Sequence, residues 1–156
     1  MQKLYLARPR LENYLPFTSA ALQLQSAFIA KNPYLRDRRC EMESAGDNSE
    51  YSRVHAEYHR SFRRIVEKFG YYDLYLIDDD SRNIVYDVSK CRDFATSLFE
   101  GPYRDSNLAK IVRRCLDTQI PDDILSFPIS NLIPLPAVSQ PSMLRVLFST
   151  VRRVSG

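Results

Sequence analysis

His55 and His59 are the chain's two histidines, and they stand four residues apart in H-A-E-Y-H. On a helix that spacing puts both imidazoles on one face, one turn apart. A zinc protease needs H-E-x-x-H, with a glutamate directly after the first histidine as base. Here Ala56 takes that place, and Glu57 projects away from the shared face. No third ligand accompanies the pair, so both are expected to be hydrogen-bonded interface residues and not metal ligands. Asp78-Asp79-Asp80 opens like a calcium loop. Counted from Asp78, however, position 5 is Arg82 and position 6 is Asn83, where an EF-hand has an acidic or amide residue and then glycine. A solvated hairpin turn is expected instead.

Cys40, Cys91 and Cys115 are odd in number and contain no C-x-x-C. That supports neither a disulfide framework nor a zinc site. Cys91 lies near Asp93, but a catalytic thiol needs a base, and no histidine is close in sequence. Only four glycines occur, and none falls into a phosphate-cradling or nucleophile-elbow pattern. The expectation is a chain that is not an enzyme and carries no metal and no cofactor. The remaining constellation is Tyr72, Asp73, Tyr75, Tyr86, Asp93, Phe94, Thr96 and Tyr103. Aromatic walls with a few hydroxyls and a carboxylate suit a small-ligand pocket, although on pattern alone ordinary sheet core accounts for the rings.

The elements that must position these residues can be read from periodicity. Residues 18–30 place Ala21, Leu22, Gln25, Phe28 and Ile29 on one helical face. Asn32-Pro33 ends that helix, since a residue before proline avoids the helical region. A short helix around Arg10–Leu15 is a weaker expectation. Residues 34–48 are polar and read as a loop, with Asp47 and Glu50 spaced for a capping box. From about Ser49 to Phe69 a long helix is expected. Its apolar stripe is Tyr51, Val54, Tyr58, Phe62, Ile65, Val66 and Phe69, with Arg53, Arg60, Arg63, Arg64 and Lys68 opposite. Gly70 stands where a left-handed C-cap belongs.

The period then changes to two. Tyr72, Leu74 and Leu76 face one way and Asp73, Tyr75 and Ile77 the other, and strand character resumes at Ile84–Val88. The two segments read as a hairpin with a long turn. Ser89–Tyr103 is irregular. Asp105 or Ser106 caps a short helix to about Leu116, whose apolar face is Leu108, Ile111, Val112, Cys115 and Leu116. Beyond Pro121, prolines confine any strand, such as Ile124–Phe127 or Ser142–Val151, to short or edge positions.

Bulk properties set the frame. The 156 residues make one domain that can bury roughly two thirds of its unfolded surface. The net charge of +3 is spread over small arginine clusters and not gathered into a stripe, which argues against nucleic acid as a partner. No run of 18 apolar residues spans a membrane, and residues 1–10 lack the apolar core of a signal peptide. Taken alone, the chain is expected to be cytoplasmic.

Several motifs come in a fixed order: Tyr51-Ser52, His55-Ala56, Tyr58-His59 and Phe62; then F-G-Y-Y-D-L-Y-L-I-D from Phe69, I-V-Y-D-V-S-K from Ile84, D-F-A-T-S-L from Asp93 and G-P-Y-R-D-S-N-L-A from Gly101. Over roughly residues 20–135 this order resembles the extracytoplasmic Cache-like sensor region of bacterial methyl-accepting chemotaxis proteins, related also to receptor adenylate/guanylate cyclases. The resemblance implies an α+β fold, with long N-terminal helices packed on a PAS-like antiparallel sheet that binds a small organic molecule. It also implies a parent receptor with transmembrane and output domains, on the outer side of the inner membrane, and a homodimer through the long helix. The expected organisation is an N-terminal helical segment and loop (1–48), a sensor module (49–145) and a tail (146–156). That tail departs from the family's closing strands, so a fragment ended by a frameshift near Met143 is expected. Two other readings compete: a degenerate fragment that binds nothing, and a metalloenzyme built on His55 and His59.

Overall fold

The computed structural model describes residues 18–78 and 80–117, together with the backbone of strands 124–128 and 143–147. The expected helix around Arg10–Leu15 and most of the tail lie outside the described residues. The fold is α+β: helices combined with small antiparallel sheets.

Helix α1 (Ser19–Gln25) begins where the Thr18 hydroxyl accepts the Ala21 N–H at 3.1 Å. It runs on into a π-helical turn, Ser26–Ala30. Asn32 closes this end, its amide donating to the carbonyls of Phe28 and Arg39. The segment expected to be loop contains a 3-10 helix, Arg36–Glu41. The Arg38 guanidinium meets the Glu41 carboxylate through two bonds of 2.6 and 2.7 Å, a three-residue spacing that this tighter helix brings into line.

Helix α2 (Glu50–Phe69) spans 20 residues. The expected capping box does not form. Ser49 is the N-cap, its hydroxyl accepting the Ser52 N–H, while Asp47 instead accepts the N–H and the hydroxyl of Ser49. Gly70 ends the helix at φ +64°, the left-handed conformation that costs other residues about 1 kcal/mol or more. The buried face also differs from the expected stripe. Ser52, His55 and His59 are buried, whereas Val54, Tyr58 and Phe69 are 40%, 49% and 57% exposed. Of the three buried residues, His59 has both ring nitrogens hydrogen-bonded, whereas Ser52 Oγ and His55 Nε2 are buried without a partner, which is costly.

Strands β1 (Tyr75–Ile77) and β2 (Ile84–Asp87) form the expected antiparallel hairpin, with Tyr75 opposite Asp87 and Leu76 opposite Tyr86. The register shifts between Leu76 and Ile77, so Val85 is extra on β2. Asp78 caps the turn by accepting the N–H and hydroxyl of Ser81. Residues 95–98 extend the free side of β2, through Ile84 N–H to Thr96 O and Ala95 N–H to Ile84 O, both 2.9 Å.

Two helices cover this hairpin on opposite faces. Helix α3 (Asn107–Asp117), capped by the Ser106 hydroxyl on the Ala109 N–H, lays Leu108, Ala109, Ile111 and Val112 against Tyr75, Ile84 and Leu98. On the other face Leu74, Tyr86 and Val88 meet Phe62, Ile65 and Val66 of α2. A third cluster gathers Phe28, Met42, Phe94 and Ala95 around Tyr51. Strands β3 (Ile124–Pro128) and β4 (Met143–Leu147) pair antiparallel as a second two-stranded sheet, from Ile124 opposite Leu147 to Pro128 opposite Met143. Pro128 stands at the strand end, where its missing N–H costs least.

Candidate functional site

Asp73 stands just before β1, next to Leu74, and it is completely buried. Its Oδ1 accepts three backbone N–H groups, from Leu74 at 2.8 Å, Val88 at 3.0 Å and Ser89 at 3.2 Å, so this carboxylate joins the two ends of the hairpin. Its Oδ2 has no hydrogen-bond partner. Asp87, at the end of β2, is equally buried and folds the chain back on itself: Oδ1 accepts the Lys90 N–H at 2.8 Å and Oδ2 the Cys91 N–H at 2.9 Å. The turn holds Lys90 in the left-handed region at φ +52°.

This conformation directs the Lys90 ammonium inward, where it donates to the Asp87 carbonyl and stands 3.8 Å from Asp87 Oδ1. Three rings enclose it, with the ammonium 4.2 Å from the Tyr86 centroid, 5.2 Å from that of Phe94 and 5.9 Å from that of Phe28. Burial pulls the Lys90 pKa down to about 8 against the attraction of Asp87 and Asp73. Burial, then the charge of Asp73, pushes the Asp87 carboxyl well up; burial pushes Asp73 up as well. Asp93 nearby is pushed up to about 6, again mainly by burial.

Asp73, Asp87 and Cys91 each offer a ligand atom, and the three atoms lie within 4.8 Å of one another. Cys91 also reaches outward. It lines a cleft of about 500 Å³ between the Arg36–Glu41 helix and the loop 89–92, with Arg36, Arg39, Tyr72 and Arg92 around it. The Cys91 thiol is held protonated, pushed up first by burial and then by Asp87 and Asp73. That makes it a poor nucleophile.

The histidine pair does different work. His59 Nε2 is 2.7 Å from the Cys40 carbonyl and must donate to it; Nδ1 therefore accepts the Tyr86 hydroxyl, 2.6 Å away. His55 Nδ1 donates to the Glu43 carbonyl at 2.8 Å. The rings stack at 4.4 Å. His59 thus has both nitrogens engaged, as expected of an interface residue. His55 does not, because its buried Nε2 has no hydrogen-bond partner. Burial, followed by the Lys90 charge, takes His55 down to about 3. Burial lowers His59 to about 4 despite its bond to Cys40. A second hollow, apolar and about 340 Å³, opens between α2 and the hairpin and is lined by Tyr51, Tyr58, Phe62, Leu76 and Val85 among others.

The eight residues singled out in the sequence are divided among these places. Tyr72 lines the cleft and Tyr86 the apolar hollow. Asp73 lies in the buried carboxylate cluster. Tyr75 packs with Tyr103 under α3, and Phe94 packs with Phe28. The Thr96 hydroxyl donates to the Asp93 carbonyl at 2.6 Å, closing a turn. Sequence reasoning missed Asp87, Lys90 and the Arg36–Arg39 rim, and weighed Cys91 only as a nucleophile. The available signal was Asp73 on the same face as Tyr75 and Ile77, a carboxylate among apolar residues that needs a partner. The described residues contain no helix long and apolar enough to cross a membrane. No family model, curated protein or solved structure matches the chain.

Proposed function

We propose that this chain is a non-catalytic sensor module of the Cache-like type, and that it binds a small organic anion in the cleft between residues 36–41 and 89–92. The observation that carries the reading is the cleft itself. Three arginines, Arg36, Arg39 and Arg92, line about 500 Å³ together with Tyr72, and Asp37 is the one acidic residue on its lining. Guanidinium groups bind carboxylates through paired, charge-assisted bonds. The motif order of bacterial chemotaxis and cyclase receptors supports the same reading, as does the sequence long helix, hairpin, irregular loop, capped helix. In such a receptor a ligand pressing on the loop after β2 acts on Asp87 and Lys90, and through Tyr86 and His59 on α2. Helix α2 is then the element that carries the signal to membrane-spanning and output domains.

Calorimetric titration of the chain with a panel of small mono- and dicarboxylic acids tests the reading. Saturable binding of one of them is expected, weakened roughly 10–100-fold by Arg39→Ala, the value of one charge-assisted bond, and weakened also by Tyr72→Ala. A folded chain that binds no member of the panel, or whose Arg39→Ala variant binds unchanged, would remove the cleft as the ligand site and favour the non-binding fragment.

A further inference from the structure

We propose that Asp73, Asp87 and Cys91 form a binding site for a borderline-soft divalent metal ion such as zinc, with its open coordination position facing the cleft. The three donor atoms lie within 4.8 Å of one another. Around a tetrahedral zinc, with bonds of about 2.0–2.3 Å, ligand atoms stand roughly 3.3–3.8 Å apart, so a contraction of about 1 Å closes the site. Two carboxylates and one thiol suit a borderline ion better than calcium or magnesium, which take oxygen alone.

A separate observation points to a missing ligand. Asp73 is fully buried and already fixed by three N–H groups on Oδ1, yet Oδ2 has no hydrogen-bond partner. A buried carboxylate oxygen left that way is costly and rare. With both carboxyls and the thiol ionised, these three groups carry three negative charges and Lys90 one positive charge beside Asp87, a local surplus of negative charge that a divalent ion offsets. Orientation is fixed in advance, because the Asp87 oxygens hold the Lys90 and Cys91 N–H groups and each carboxylate is locked by backbone. Entry is provided by Cys91, which lines the cleft. Three protein ligands with a fourth place left to water or ligand is the arrangement of an open zinc site. Binding deprotonates the Cys91 thiol, together with any carboxyl of Asp73 or Asp87 that holds a proton, and releases these protons to solvent.

Cobalt(II) titration of the chelator-treated full chain, with no organic acid present, is the test. A thiolate-to-cobalt charge-transfer band in the near ultraviolet is expected, saturating at one equivalent and displaced by zinc. Cys91→Ser is expected to abolish the band and weaken zinc binding by more than the roughly 10–100-fold that an outer-shell change costs. Cys40→Ser and Cys115→Ser are expected to keep it. Asp73→Asn retains an oxygen for the three N–H groups and removes the charged Oδ2, so the fold is expected to survive while metal affinity falls. No band with the parent chain, a band that persists in Cys91→Ser, or unchanged affinity in Asp73→Asn would each overturn the site. The probe is the metal alone, so its failure leaves the anion-binding reading to be judged separately.

Discussion

A lysine with no exposed side-chain surface is rare enough to need a reason, and for Lys90 the reason is local. Asp87 turns the chain so that the Lys90 ammonium falls over its own carbonyl and into an aromatic cage. The cage replaces part of the lost hydration, and Asp87 supplies the counter-charge. Removing one partner of such a buried pair strands the other charge. Lys90→Met is therefore expected to destabilise the chain by about 3–5 kcal/mol, and Lys90→Met with Asp87→Asn by clearly less, measured by urea unfolding. Equal losses in the two variants would mean that the pair is not the stabilising unit. None of this was readable from V-Y-D-V-S-K-C, because the left-handed Lys90 that makes the contact belongs to residues that ordinarily avoid it. Asp73 was partly readable. The sequence singles it out as a pocket residue, but its role as a clasp depends on Val88 and Ser89, which are distant in sequence.

Helix α2 shows how a sequence stripe can name the right element and only part of its buried face: Tyr51, Phe62, Ile65 and Val66 pack inward, while Val54, Tyr58 and Phe69 are exposed. The end was readable from Gly70, a local signal with a local cause; the start was readable near Ser49, although the cap expected of Asp47 belongs to Ser49. The buried face was readable only in its apolar part, because periodicity counts apolar residues and gives no credit to a histidine that finds partners. His55 and His59 enter the core because Glu43, Cys40 and Tyr86 supply hydrogen bonds, and only the fold brings those residues near. This has a cost in acid. The His59 pKa is lowered to about 4 from its ordinary 6.5. Between those values the unfolded chain holds the proton and the folded chain does not, so stability is full above about 6.5 and falls as pH falls toward 4. The loss is on the order of 2–3 kcal/mol for this residue. In His59→Gln, whose amide can donate to Cys40 and accept from Tyr86, urea midpoints measured from pH 7 to pH 4.5 are expected to fall less steeply than in the parent. A parallel decline would place the acid sensitivity elsewhere.

For the whole molecule the carboxyl groups oppose the histidines, and the balance decides how the fold behaves in acid. Asp73 and Asp87 are fully buried, and Asp93 is half-buried next to Phe94. Burial raises Asp93 to about 6, against 3.8 when exposed. Between those values the folded chain binds the proton and the unfolded chain does not, so this residue contributes stability as pH falls from 6 to 4, opposite in sign to His59 and of similar size, about 2–3 kcal/mol. Across that window the parent therefore declines less than its histidines alone would dictate. Asp93→Asn removes the opposing contribution without adding charge. It is expected to be as stable as the parent or more so at pH 7, where the parent holds a buried carboxylate, and to lose stability more steeply below pH 6. Urea unfolding of both proteins across this range measures the difference directly. Curves that run parallel would mean that Asp93 titrates as an exposed carboxyl does, and that the core around Phe94 admits water.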